Sequence, residues 1–193
     1  MSTATRRARP KPRRNADRGG TRRPDAMTHQ PLWAPWRMAY IGGPKAGGCI
    51  FCSAPSTADR KASLVLAVNA HVVVMLNRYP YSNGHLMVAP REHTADLSAL
   101  APAAHAALSE TVRRTVALLQ EAFGPDGMNV GLNLGAAAGA GIADHLHWHL
   151  VPRWIGDTNF MPVIAEVHCI PEHLEAMWAR LTPVLAELDG AGG

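Results

Sequence analysis

"ADHLHWHLVPRW", residues 143–154, sets three histidines two residues apart: His145, His147 and His149. Side chains alternate between the two faces of a β-strand. An extended chain therefore puts the three imidazoles on one face, about 7 Å from one to the next, and Leu146, Trp148 and Leu150 on the other. A helix would turn the same residues by about 200° per step and scatter them. The alternation predicts a strand with one face toward a core and one face bearing histidines. A half-exposed strand with three solvated histidines has the same pattern, so the surrounding sequence has to decide.

Upstream, "LVLAVNAHVVVMLN" (64–77) reads as two strands around "NA", rich in β-branched residues. "RYPYSNG" is a turn-bearing loop, and "HLMVAP" (85–90) is a strand stopped by Pro90. A long helix follows through "AAHAALSETVRRTVALLQEAF", with Ala104, Leu108, Val112, Val116 and Leu119 at helical spacing. Asp96 is its expected cap, and Gly124 and Pro125 end it. "GMNVGLNL" (127–134) alternates like a strand, and "GAAAGAGIAD" (135–144) is a small-residue loop ahead of the histidines. A last helix is expected from near Pro171, carrying Leu174, Met177, Trp178, Leu181, Val184 and Leu185. The order predicts an α+β fold: a largely antiparallel sheet with one long helix and a C-terminal helix.

The chain has 193 residues and is 47% apolar, enough for one domain with a sizeable core. Residues 1–26 hold nine basic and two acidic residues, about +7, so the rest carries about −3 of the +4 total. That tail lacks hydrophobic periodicity and reads as disordered. We divide the chain into a basic tail, 1–30, and one domain, 31–190. Met27 is an alternative start, because ordered-looking sequence begins at "QPLWAPWRMAYI"; "LWAPWRMAYI" (32–41) resembles an arm packed on the domain or a partner subunit. Weak phosphate-backbone attraction is one reading of the tail. A plain solvated extension is the one we adopt, so nucleic acid is not an expected partner. No stretch reads as a signal peptide or approaches the run of about 20 apolar residues that spans a bilayer. Three cysteines, Cys49, Cys52 and Cys169, fit a reducing, cytoplasmic setting. Cys169 is expected to be a small buried residue.

Two constellations carry chemistry. Cys49 and Cys52 form C-x-x-C, which supplies half of a zinc site or a redox pair. His93 and His145 are candidates for the other half. "NLGAAAGAGIAD" joins Asn133 to a glycine-containing loop directly before the histidines. An Asn amide and backbone N–H groups turned by glycine can hold a phosphoryl group. A neutral imidazole can attack phosphorus, and its neighbours can stabilise the developing charge.

"HLHWHLVPR" matches the His-φ-His-φ-His-φ-φ signature of the histidine triad superfamily, φ being apolar, and "GCIFC", "NGHLMVAPREH" and "NLGAAAGAG" resemble its other blocks in the same order. The resemblance covers about residues 31–190. It implies a structural zinc on Cys49, Cys52, His93 and His145. It implies that His147 is the nucleophile, that His149 assists at the phosphate, and that Asn133 contacts it. Asn77 falls at the ribose position, where many members have Asp, and Phe51 and Leu76 are the expected base contacts. Gly139 and Gly141 are expected phosphate-side donors through their backbone. Many members carry Gln or Ser before the triad; here "AGAGIADH" is one residue longer and has Gly141 near that place. The longer loop, "VPRW" and "GDTNF" resemble the bacterial diadenosine tetraphosphate phosphorylase branch. The implied activity is hydrolysis or phosphorolysis of a nucleoside polyphosphate, best diadenosine tetraphosphate, through a nucleotidyl-histidine, in a homodimer. Nucleoside phosphoramidate hydrolysis and nucleotide binding without turnover are the alternatives.

Overall fold

The computed structural model describes residues 48–157 and 172–190. The tail, the arm at 32–41, the stretch 158–171 with Cys169, and the expected helix start at Pro171 lie outside the described residues.

The described residues open with a single helical turn, α1 (Ile50–Ser53), followed by β1 (Val65–Val68), β2 (Val72–Leu76) and β3 (Leu86–Pro90). The β1–β2 turn is local chemistry: Asn69 Oδ1 accepts from the N–H groups of His71 and Val72, at 3.0 and 2.8 Å. The long helix α2 (Pro102–Phe123) is followed by β4 (Gly127–Leu132), β5 (Trp148–Arg153) and α3 (Leu174–Val184). The sheet has the order β1-β2-β3-β5-β4, and each neighbouring pair is antiparallel. The α+β architecture is the one read from the sequence. Among the described residues no helix is long and apolar enough to cross a membrane.

Both faces of the sheet are apolar, for different reasons. Leu66, Val74, Leu76, Leu86, Val88, Leu146 and Leu150 form one cluster with Leu108 and Leu119 of α2 and Met177 and Leu181 of α3. This is the main core, and burying each such side chain contributes about 1.5–3 kcal/mol. On the other face, Val65, Val73, Met75, Met87 and Ala89 gather around Phe51 of α1. That smaller cluster lies beside the histidines.

Three expectations shift. Asp96 caps a 3-10 turn, Leu97–Ala99, rather than the long helix. α2 starts at Pro102, whose fixed φ and missing N–H suit a first turn, and its N-cap Ala101 makes no side-chain bond. The buried stripe of α2 also includes Thr111 and Thr115, which the apolar period passed over. Their hydroxyls donate to the carbonyls of Ala107 and Thr111, at 2.9 and 2.7 Å, so burial leaves no orphan. The third concerns the histidines. β5 starts at Trp148, so only His149 lies within the strand. β3 reaches β5 only from Leu86 to Val88, opposite Leu150 to Trp148, which leaves the stretch before Trp148 outside the ladder. It is anchored instead by the Leu146 N–H on the Thr94 carbonyl, at 2.8 Å. The alternation survives: Leu146 and Leu150 are buried among the helices with Trp148 against them.

Candidate active site and metal centre

His147 and His149 present neighbouring rings, with centroids 4.9 Å apart. Phe51 flanks His145 and His147, at 5.0 and 5.1 Å between ring centroids. Tyr81 flanks His149 at 6.0 Å. The two ends of this row of rings are built differently.

At one end, Cys49, Cys52, His93 and His145 bring their donor atoms within 4.8 Å of one another. The Nδ1 of His145 is 3.2 Å from Cys49 Sγ, 3.6 Å from Cys52 Sγ and 3.1 Å from His93 Nδ1. A tetrahedral zinc with Zn–S near about 2.3 Å and Zn–N near about 2.0 Å spaces its ligands by about 3.3–3.8 Å. The other nitrogen of His145 donates to the Pro90 carbonyl, at 2.8 Å. That bond leaves the Nδ1 lone pair facing three further donor atoms, an arrangement a cation resolves. The residues fit a zinc of the Cys2His2 kind. His145 is 1% exposed, whereas Cys52 and His93 lie at the surface.

At the other end, His85 is fully buried, and nothing in the sequence reading assigned it a role. The backbone N–H of Tyr81 donates to its Nδ1, at 3.1 Å. The ring proton of His85 therefore sits on Nε2, which donates to His149 Nδ1 at 2.9 Å. His149 in turn carries its own proton on Nε2. Burial above all, then the neighbouring His149 and His147, pushes His85 from 6.5 down to about 3, so it stays neutral in this role.

His147 is tied the opposite way. Its Nδ1–H donates to the backbone carbonyl of His145, at 2.9 Å, so its lone pair is at Nε2. Burial lowers its pKa and so favours the neutral ring, against the opposing effect of that carbonyl. Two adjacent imidazoles thus hold opposite tautomers: His147 offers a lone pair at Nε2 and His149 a proton. A nucleophile beside a donor is what phosphoryl chemistry on a histidine needs.

The remaining candidates divide. Asn133 follows β4 in the alternation of Gly131, which pairs with His149 across the ladder. A Cβ on Gly131 would meet nothing within 4 Å, so the flank of His149 is open there. Gly139 has a left-handed φ of +88°, and a Cβ there would reach 4.0 Å from Asn133 Nδ2, so the glycine loop folds back on Asn133. The N–H groups of Ala138, Gly139 and Ala140 bond within the loop, to Gly135 and Ala136 carbonyls. The expected Gly139 donor is therefore already engaged, and Gly141 follows it at the exposed end of the loop. Asn77 turns its Oδ1 to the Tyr79 N–H, at 2.9 Å, and lays its amide against His85, so it supports the loop that carries Tyr81. Leu76, expected at the base, packs in the cluster that includes the helices and is 1% exposed. The strand alternation puts Met75 on the opposite face, in the cluster around Phe51. Phe51, expected to meet the base, is fully buried and packs on His145 and His147.

Comparison with known proteins agrees with this geometry. The family model for the HIT domain matches residues 59–154. The AP-4-A phosphorylase of Mycobacterium tuberculosis is 37% identical over 167 residues, covering 78% of this chain and 85% of its own. Among solved structures, a Zn-bound histidine triad family protein from Mycobacterium smegmatis superposes with a TM-score of 0.57 at 26% identity, over 73% of this chain and 95% of its own. A hypothetical histidine triad nucleotide-binding protein from Sulfolobus tokodaii shares the fold, with a TM-score of 0.57 at 24% identity over 72% of this chain and 93% of its own. The chain belongs to the HIT family, with a distant relationship to its AP-4-A phosphorylase-like branch.

Proposed function

We propose that this protein is a nucleotidyl hydrolase or transferase that cleaves a nucleoside polyphosphate, best diadenosine tetraphosphate, through a nucleotidyl-histidine. The observation that carries the reading is the opposed pair of contacts at Nδ1, a backbone carbonyl at His147 and the His85 ring at His149. His147 Nε2 attacks the α-phosphorus, and a P–N bond forms as the bridging P–O bond breaks. The Nε2–H of His149 donates to the phosphoryl group as charge develops, and the Asn133 amide holds a further oxygen. Water or inorganic phosphate then attacks phosphorus, the P–N bond breaks, and His147 returns neutral. The choice of diadenosine tetraphosphate is supported by the 37% identity to the M. tuberculosis protein.

The zinc in this reading is structural. Cys49, Cys52, His93 and His145 make four protein ligands, which leaves no position for water or substrate. The basic tail has no part in the chemistry. A homodimer belongs to the same reading: β4 is the edge of the sheet, and Val130 and Leu134 are 42% and 52% exposed along it and just after it. Sedimentation giving only a monomer would remove that element.

The test is product analysis with diadenosine tetraphosphate, with and without inorganic phosphate. ADP with ATP formed only when phosphate is present identifies a phosphorylase, and AMP with ATP formed in water identifies a hydrolase acting at the α-phosphorus. No turnover of this compound, with ready cleavage of an adenosine phosphoramidate, would move the substrate to the alternative class.

A further inference from the structure

α1 is only four residues long, and its N-cap Cys49 makes no side-chain capping bond. A lone helical turn does not hold itself in water. Two fasteners are in place: the thiols of Cys49 and Cys52 in the metal cluster, and Phe51 between them, the one buried residue of the turn. Phe51 lies against His145 with its ring tilted 49° and against His147 tilted 30°. Phe51 is thus a wall for the His147 ring, carried on the same turn as two of the four metal donors. A second link runs through His145, whose imidazole is in the cluster and whose backbone carbonyl takes the His147 Nδ1–H. His149 is held from another side: its Nδ1 meets His85, from the loop before β3.

We propose that Phe51 is a positioning residue through which the metal site fixes the ring of His147, and that the metal site leaves His149 unaffected. The proposal rests on His147 being the nucleophile only for its activity readout. It predicts a selective effect. Loss of metal releases α1, Phe51 withdraws, and the His145 peptide loses one of its anchors. His147 then samples both tautomers, while His149 keeps its proton on Nε2.

The experiment uses the full chain with 15N-labelled histidine. Ring resonances of His147 and His149 are followed in the zinc-loaded protein, after chelation, and after zinc is returned. Zinc-loaded Phe51→Leu, which keeps an apolar side chain but loses the ring wall, is measured beside them. The expected result is a distinct protonated and unprotonated nitrogen at each ring in the loaded protein. On chelation and in F51L, the two His147 signals move toward each other, those of His149 stay, and zinc restores the wild type. F51L should also keep its zinc and lose about 10–100-fold in kcat with little change in KM, the scale at which groups supporting a first-line residue act. If chelation unfolds the chain, zinc-loaded F51L decides alone. Unchanged His147 resonances in F51L would overturn the proposal, and so would equal movement of both rings. An absence of diadenosine tetraphosphate turnover leaves these spectra readable, so the two claims fail separately.

Discussion

His147 and His149 are the same residue, two positions apart, on one face of the same segment, yet their inner nitrogens are held by opposite kinds of partner. The Nδ1 of His147 meets a carbonyl, an obligate acceptor, and so keeps its proton. The Nδ1 of His149 meets the N–H of His85 and so gives its proton to Nε2. One contact at the inner nitrogen decides what the outer nitrogen can do. The two supports also come from different parts of the chain. The first is the peptide of a metal-cluster residue, and the second is a buried histidine fixed by the Tyr81 backbone. An imidazole's role is written in its neighbour.

The largest expected effect separates the two rings outright. His147→Ala should lower turnover by about 10³-fold or more while nucleotide binding and zinc content remain. His149→Ala should leave slower but measurable turnover. Equal losses at both positions, in steady-state assays on folded protein, would erase the distinction. Next comes the support of His149. His85→Asn removes the ring nitrogen that donates to His149 and should cost about 10–100-fold in kcat. Turnover within about twofold of wild type would show that His149 does not depend on this partner.

A smaller effect concerns stability. His85 has its pKa lowered from 6.5 to about 3 by the fold. Between those values the unfolded chain binds a proton that the folded chain refuses, so stability falls as pH drops from about 6.5 toward 3. One such group contributes a slope of up to about 1.4 kcal/mol per pH unit. Urea unfolding at pH 7 and pH 5 should show wild type losing more stability than H85N, and parallel losses would mean that His85 titrates normally. The smallest effect lies outside both supports. Removing residues 1–26 should leave Tm and turnover unchanged, because that stretch has too little apolar sequence to build a packed core. A clear fall in either would give the tail a part in the domain.

What was legible in the sequence was what depends on local pattern. The H-x-H-x-H alternation, the NA turn, the strand stopped at Pro90 and the helix ended at Gly124 each follow from a residue's own geometry. The Cys49, Cys52, His93 and His145 cluster came through family resemblance, and the geometry brings those four together. What escaped depends on register. Leu76 and Met75 are neighbours on one strand, and only the pairing of β2 and β3 reveals which faces the histidines. His85 sits two residues before Met87, which pairs with His149, so its nearness to the site is a property of the ladder. The segment "NGHLMVAP" carries the residue with no local sign of its partner. Phe51 is expected at the base because it is apolar and near the C-x-x-C turn; its burial against His145 and His147 is a tertiary fact that the local pattern does not carry.

The assignment of roles to the two rings is tested most directly by where the nucleotide becomes attached. Wild-type protein is mixed with diadenosine tetraphosphate, quenched in milliseconds without acid, digested, and the fragment containing residues 145–153 is sequenced by tandem mass spectrometry. The opposed tautomers predict a nucleotidyl adduct on His147 and none on His149. An adduct on His149, or turnover with no adduct at any time point, would contradict the account.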